Sequence, residues 1–588
     1  MILQALAKYY ERMVQDGIQD LEPIGYKRAT IPFIINLKKD GRIAGIDDTR
    51  TSDGRRRLSR LFIVPKVFDG SRTSDIESNL LWDKASYVFG VSAKEGKNER
   101  LQKQKDKFLS TILDYFPDEV SDDGVIAVVN FLKYHAESIQ EFKEWEEIKS
   151  KDQNLAFKLE GENMLVCNRE AVSEAISRKN KSLNADKGLC LISGNIDSLA
   201  ELENPIKGLR GSGKAESHLV SFNDFAYWSY GKTYGANAPI SKTASAAYVI
   251  AINYMQRDNS RQWIKVGNAT TVFWAGKKHK IEDWFTDIFG EPATGESDQD
   301  NAAIRALFDS MKTGVPPLEW NLNQFYVLGL SPNAARIAIR FWYEGTVAEV
   351  AINILQHFKD ISIEHAPHYP EYLSLSRLLK STALLEKTDN IQPNLAGDFM
   401  KAILAGTPYP NTLLSSAMRR IKAEQSRRDR NGKSIPNVTY ERASLIKAVL
   451  FRNARYYNHN EKEVGMALDT NNINPGYLLG RLFAVLEKVQ IESAGGEGKI
   501  NATIRDRFYG SASSTPVAVF AHLMKLKNHH LAKLENYKNF YEKLIGEITD
   551  KISPDNAYPA HLSLDDQGRF AVGYYHQRQD FFKKKDNS

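Results

Sequence analysis

Thiols are almost absent, with two cysteines, Cys167 and Cys190, in 588 residues. Without a second pair or a Cys-x-x-Cys spacing, a disulfide framework is excluded, and both read as buried structural thiols. Long apolar runs are missing too. No segment approaches the roughly 20 apolar residues that a membrane-crossing helix needs. The opening residues, MILQALAKYYERMVQ, lack a basic lead, an apolar block and a small-residue cleavage site. They read as an amphipathic helix rather than a signal peptide, with Ile2, Leu3, Leu6, Tyr9, Tyr10 and Met13 on one face. A cytoplasmic protein with no membrane partner is the expectation.

Recognisable catalytic machinery is equally scarce. Gly231-Lys232-Thr233 fails as a P-loop, because Ala226 stands where the first glycine is required, inside the aromatic stretch FAYWSYGKT. His365 and His368, each followed closely by a proline, make too sparse a set to argue for a metal. No adjacent His-Asp pair and no Gly-x-Ser-x-Gly suggests a two-metal site or an activated serine. No catalytic residue, metal or cofactor is expected.

What is present is length and unevenly placed charge. A chain of 588 residues makes more than one domain, and 42% hydrophobic with 26% charged residues is an ordinary globular composition. The net charge is +6, yet residues 401–460 alone carry 12 Lys/Arg against 3 Asp/Glu, an excess of 9 that leaves 6 − 9 = −3 elsewhere. A second basic stretch, 50–107, has 14 Lys/Arg against 8 Asp/Glu. Basic clusters on a near-neutral chain point to a polyanion, since phosphate neutralisation releases counterions. A merely solvated face would mix both signs.

The pattern of elements predicts an α+β multidomain chain. ATIPFIINL (29–37) and RIAGI (42–46) flank Asp40-Gly41 as a hairpin, and RLFIVPK (60–66) continues the β character. GVIAVVNFLKYH (124–135) and ISKTASAAYVIAINYMQR (240–257) read as helices, LCLISG (189–194) and TTVFWAG (270–276) as strands. From about 330 onward strand signals fade and amphipathic helices dominate. SAGGEGK (493–499) is the most linker-like stretch.

Three segments carry a binding signal. In SRTSDIESNLLWDKASYVFG (71–90), Arg72, Thr73, Ser74 and Asn79 offer donors and acceptors in a loop that Leu80, Leu81, Trp82, Tyr87 and Phe89 anchor. Short polar side chains at a loop tip suit groove-edge reading; alternatively, Asn79 caps a helix containing Trp82. In KGLRGSGKAESHLVSFN (207–223), Gly208, Gly211 and Gly213 free the backbone while Lys207, Arg210 and Lys214 supply charge, as in a phosphate nest. A helix over 413–433 buries Leu413, Leu414, Ala417, Met418 and Ile421 and presents Arg419, Arg420, Arg427, Arg428 and Arg430 to a strand backbone.

Together these segments resemble a known family. SRTSDIESNLLWDKASYVFG is similar to the "RTSGI…NFLWDN…YVLG" signature of the large subunit of the type I-C CRISPR Cascade interference complex. The resemblance takes in MILQAL, CLISG followed by IKGLRGS…LVSFN…NAPIS, FYVLGLSPNAARIAIRFW (325–342) and AHLSLDDQGRFAVGYYHQRQDFF (560–582). It spans essentially the whole chain and departs from the signature at Asp75 and Ser78. It implies a non-catalytic subunit that tests a short protospacer-adjacent motif (PAM) in duplex DNA while a guide RNA reads the target, a division of labour known from another effector. It further implies R-loop promotion, displaced-strand stabilisation and recruitment of a helicase-nuclease. Implied partners are the Cascade backbone and crRNA-end subunits with their CRISPR RNA, double-stranded target DNA, and a small subunit from the same gene. Asn79, Arg72 and Lys66 become the candidates for duplex contact, with Thr73 and Ser74 beside them.

The family also makes its small subunit from an internal start, and Met466 is the candidate here, giving 588 − 466 + 1 = 123 residues. Lys462-Glu463-Val464 just upstream can be encoded AAG-GAG-GTN, a purine-rich ribosome-binding sequence. GMALDTNNINPGYLLGRLFAVLEK (465–488) begins a helix at Asn474-Pro475, another begins at Thr515-Pro516, and Leu531, Leu534, Tyr537, Tyr541, Leu544, Ile545 and Ile548 mark a third stripe. A small bundle is expected, with Arg505, Arg507, Lys525, Lys527 and Lys533 facing a strand backbone. The expected division is 1–345 (mixed α/β, DNA-motif recognition), 346–465 (basic helical) and 466–588 (small-subunit-like). The rival readings are a nuclease with an unrecognised site and a sequence-indifferent nucleic-acid scaffold.

Overall fold

The computed structural model describes residues 2–53, 56–68, 72, 76–92, 98–117, 122–182, 187–209, 216–290, 297–310, 317–333, 336–457, 464–534, 537–553 and 557–582. The chain forms two compact units that interleave in sequence: residues 10–204 with 221–251, and residues 1–9, 205–220 and 252–588. Two helices, Ile2–Gln15 and Lys242–Met255, have residues in both.

The unit of residues 10–204 and 221–251 is built on a four-stranded mixed sheet. Its order is Ile43–Asp48, Phe33–Leu37, Asn154–Leu159 and Trp82–Lys84, and only the central pair is parallel. Phe33–Leu37 can be central because it is apolar almost throughout and buried. The hairpin expected at Asp40-Gly41 forms, with Gly41 at φ +91; a Cβ there would lie 2.7 Å from the Phe131 nitrogen. The helix Asp123–Asn130 starts where Asp122 accepts from the Gly124 and Val125 N–H groups. It continues as a π turn, Phe131–His135, whose Phe131 packs on Phe89 and Phe157. LCLISG is not the strand its apolar letters suggest. Only Lys187–Leu189 is extended, and Gly194, at φ +74, donates back to the Cys190 carbonyl, so the chain turns and leaves Leu189 and Leu191 exposed.

The other unit carries an antiparallel meander, Trp263–Val266, Ala269–Ala275, Gln324–Asn333 and Arg336–Thr346. Ala269–Ala275, one residue earlier than the expected TTVFWAG strand, is buried at every position. Strand structure therefore runs to Thr346 rather than fading near 330. RIAIRFWYEGT follows the strand period over Phe341 and Tyr343, both buried, and a register shift at Gly329/Leu330 breaks the simple alternation earlier. Beyond it the described elements are helices, opened by a capping box between Thr346 and Glu349. One continuous core joins the meander, Val347–Ile361, Tyr440–Tyr456, Pro475–Ser493 and Leu564–Asp580.

Candidate nucleic-acid interface

The loop between Pro65 and Trp82 is rooted at both ends. The Trp82 indole N–H donates to the Pro65 carbonyl at 2.9 Å, and Lys66 donates through its backbone to Gly25 and through its ammonium to Asn204. Arg72 reaches inward from the loop. Its guanidinium makes a fork on the Asp83 carboxylate, at 2.6 and 2.8 Å, and lies between the rings of Phe68 and Tyr87 at 4.7 and 4.4 Å. Asp83 is wholly buried and also accepts from the Asn79 and Lys84 backbone N–H groups. A buried carboxylate needs this set, one fork-shaped cation and fixed backbone donors.

Asn79 is 3% exposed, and its side-chain oxygen has no hydrogen-bond partner among the described residues. It does not cap a helix. Trp82 lies on the strand Trp82–Lys84, and the short helix that follows, Ala85–Val88, has Lys84 at its N-cap. Thr73 and Ser74 lie outside the described residues. Asp83 is the residue of this cluster that sequence reasoning missed; a lone acid inside the apolar run LLWDK was the available signal.

The glycine-rich segment is flanked by a short antiparallel strand pair. Ile206–Lys207 pairs with Glu216–Ser217, and the Lys207 backbone donates to the Asn253 side chain and accepts from that of Gln256. Gly208 turns the chain at φ +67. Arg210, Gly211, Gly213 and Lys214 lie outside the described residues.

The arginine cluster differs from its sequence reading. The helix is Asn411–Ala423 and does not reach 433. Leu413, Leu414, Ala417, Met418 and Ile421 are buried as expected, but Asp429 accepts from the Asn431 and Lys433 N–H groups and Gly432 takes φ +77, so the chain turns there. Arg419 and Arg420 are helical, and Arg427, Arg428 and Arg430 are not. Glu424 gathers Arg420 at 3.8 Å, Arg427 at 3.2 Å and the buried Arg442 at 2.7 Å. Arg428 reaches Asp506 at 3.5 Å and the Asn501 carbonyl. Arg419 and Arg430 are exposed and have no ion pair among the described residues. Three guanidiniums on one carboxylate still leave a local excess of positive charge.

In the C-terminal helices the basic residues divide in the same way. Arg505 is 1% exposed and is held by Ser434, Asp506 and Glu487. That places it in the core rather than on the surface. Arg507, Lys525 and Lys533 are exposed and Lys527 half-buried, with no ion pair for any of them among the described residues. Met466 is exposed, while its carbonyl accepts from the Glu364 N–H and its sulfur from the Ser362 hydroxyl. Lys462 and Glu463 lie outside the described residues. No group of three or more metal-ligating side chains occurs among the described residues, and no described helix is long and apolar enough to cross a membrane.

A family model described as CRISPR-associated protein (Cas_Csd1) matches residues 6–582. Comparison with curated proteins finds no match.

Proposed function

Because the chain belongs to the Cas_Csd1 family of CRISPR-associated proteins and is Cascade-type, we propose that it serves as the non-catalytic large subunit of a type I-C RNA-guided complex. The observation that carries this reading is the family match over nearly the whole chain. In the proposed complex the loop rooted by Arg72 and Asp83 tests the PAM in duplex DNA. Thr73 and Ser74 reach the groove, Lys66 and Arg72 hold the loop's base, and the buried Asn79 amide fixes its course. Lys207, Gly208, Arg210, Gly211, Gly213 and Lys214 form a backbone-phosphate cradle. Arg419 and Arg430, together with Arg507, Lys525 and Lys527, steady the displaced strand. The guide RNA and the other Cascade subunits supply target reading, and a separate helicase-nuclease acts on the opened DNA.

The test is duplex opening by the assembled complex. Permanganate oxidation of unpaired thymines should reveal a displaced strand only where the guide matches, and omission of this chain should abolish it. Opening without this chain would remove its proposed role, and metal-dependent cleavage by the chain alone would favour a nuclease instead.

A further inference from the structure

The aromatic stretch that fails as a phosphate loop has a structure of its own. Four rings in FAYWSYGKTYGAN (225–237) are exposed, and two of them stand out: Phe225 at 79% and Tyr230 at 100%. The tip is a tight turn in which Lys232 donates to the Ser229 carbonyl at 3.0 Å, with Tyr230 at φ +54 and Gly231 at φ +70. Two positive φ angles define a type I′ turn, whose first central position favours Asn, Asp or Gly. A tyrosine is disfavoured there, and its ring gains no packing in return.

The loop beneath the tip is braced. The Asn237 side chain accepts from the Ser229 N–H at 3.0 Å and donates to the Lys232 and Tyr234 carbonyls at 3.2 and 2.9 Å. The Trp228 indole donates to the Phe222 carbonyl, and its ring meets Tyr234 edge-on at 5.2 Å. Gly235 donates to the Glu201 carbonyl at 2.9 Å and sits so close to residue 200 that a Cβ would lie 2.0 Å from its carbonyl oxygen. The result is a braced support that presents a phenol ring with both faces open.

The chemistry of the tip selects among ligands. Asp224, the acid just before the loop, accepts from the Ala226 N–H, no further Asp or Glu occurs up to Arg257, and Lys232 is exposed beside Tyr230. The tip has no aliphatic side chain larger than Ala226. Exposed aliphatics of the kind a protein partner would cover lie instead on the hairpin of Lys187–Leu189 and Ile196–Ser198, at Leu189, Leu191 and Ile196. Open aromatic faces beside a cation, with no acid in the turn that carries Tyr230, suit stacked bases and their phosphates.

We propose that the 225–235 loop is a base-stacking platform, on which Tyr230 and Phe225 take unpaired nucleobases of a single strand while Lys232 meets its phosphates. It rests on the reading of this chain as a nucleic-acid-binding subunit, and it gives the unpaired strand a second point of contact besides the arginines.

Full-length protein titrated at fixed salt with an oligothymidylate, and with an abasic strand of the same length, tests the platform. Wild type should prefer the strand that carries bases. Tyr230→Gly removes the ring and relaxes the turn, so loss of folding cannot explain its effect. It should weaken oligothymidylate binding by about 5- to 100-fold and leave abasic binding unchanged. Phe225→Ala should act in the same direction. Equal binding of both strands by wild type, or unchanged affinity in both variants, would overturn the platform while leaving nucleic-acid binding intact. Unchanged affinity with lost co-purification of other protein subunits would overturn it in favour of protein docking. Wild type that binds no strand and no duplex would instead overturn the nucleic-acid reading, and the platform with it.

Discussion

Asp83 has no exposed surface, so its charge depends on the few groups turned toward it. Arg72→Ala removes the only cation on this carboxylate among the described residues, and is expected to destabilise the unit by about 3–5 kcal/mol in urea unfolding. Arg72→Lys keeps the charge but loses the fork and the stacking, and should fall between the two. His357 makes a second prediction. It is buried in the helix Val347–Ile361, its Nδ1 lies 2.6 Å from the Tyr409 hydroxyl, and burial, with Arg452 nearby, pushes its pKa down to about 3. The unfolded chain takes up a proton as pH falls through about 6.5 while the folded chain does not, so stability declines on acidification from that point. Lowering the pH from about 7.5 to about 5 should cost wild type roughly 2 kcal/mol more than His357→Gln. Residue chemistry of this kind was only partly legible. The sequence offered Arg72 and Asn79 as polar loop residues, but their attachment to Asp83 depends on the chain folding back from Arg72, 11 positions away, onto a strand that is itself placed by pairing with Asn154–Ala156.

At the scale of elements, start signals were the most legible feature. Asn474 does cap the helix Pro475–Ser493, its side chain accepting from the Tyr477 N–H, with proline in the first turn. Ends were harder to place, because local turn chemistry overrides an amphipathic pattern, as the Asp429–Gly432 turn does after Ala423. The stripe from Leu531 to Ile548 is likewise split between two helices, Phe520–Leu531 and Lys538–Thr549, with Leu534 and Tyr537 in neither. Close helix packing was not legible at all. At Gly480 a Cβ would lie 2.1 Å from the Phe570 carbonyl, and at Gly573 2.3 Å from that of Tyr477, so the helices Pro475–Ser493 and Leu564–Asp580 touch through glycine. Gly480→Ala should therefore lower stability by about 1–3 kcal/mol or more. Gly546, inside Lys538–Thr549, has nothing within 4 Å of a Cβ, and Gly546→Ala should raise stability by about 0.5–1 kcal/mol. Thermal unfolding of the two variants measures both signs.

At the scale of the molecule, the α+β class and the helical C-terminal part were legible from periodicity, whereas the interleaving of the two units was not, because no local pattern records which distant segments pack together. Charge placement was legible as an excess but not as a surface. Arg505 is buried, and Glu424 and Asp506 hold other arginines, whereas Arg419 and Arg430 are exposed arginines with no ion pair among the described residues. Replacing both with Ala should weaken nucleic-acid binding across sequences and lower the salt slope by up to about 2. The proposed second product is tested with a C-terminally tagged gene: a fragment beginning at Met466 should appear by intact mass and vanish when that codon is replaced. Such a fragment would leave behind Leu414, Ile446 and Leu450, which pack on Gly568 in the full chain, so it needs a covering partner on that face. The most direct measurement is the affinity of the assembled complex for duplexes that differ only in the few base pairs beside the guide-matched site, at one salt concentration. The account predicts a preference for particular flanking bases, worth about 1–3 kcal/mol per base pair and reduced by Thr73→Ala with Ser74→Ala. Equal affinity for every flanking sequence, in wild type and variant alike, would contradict it.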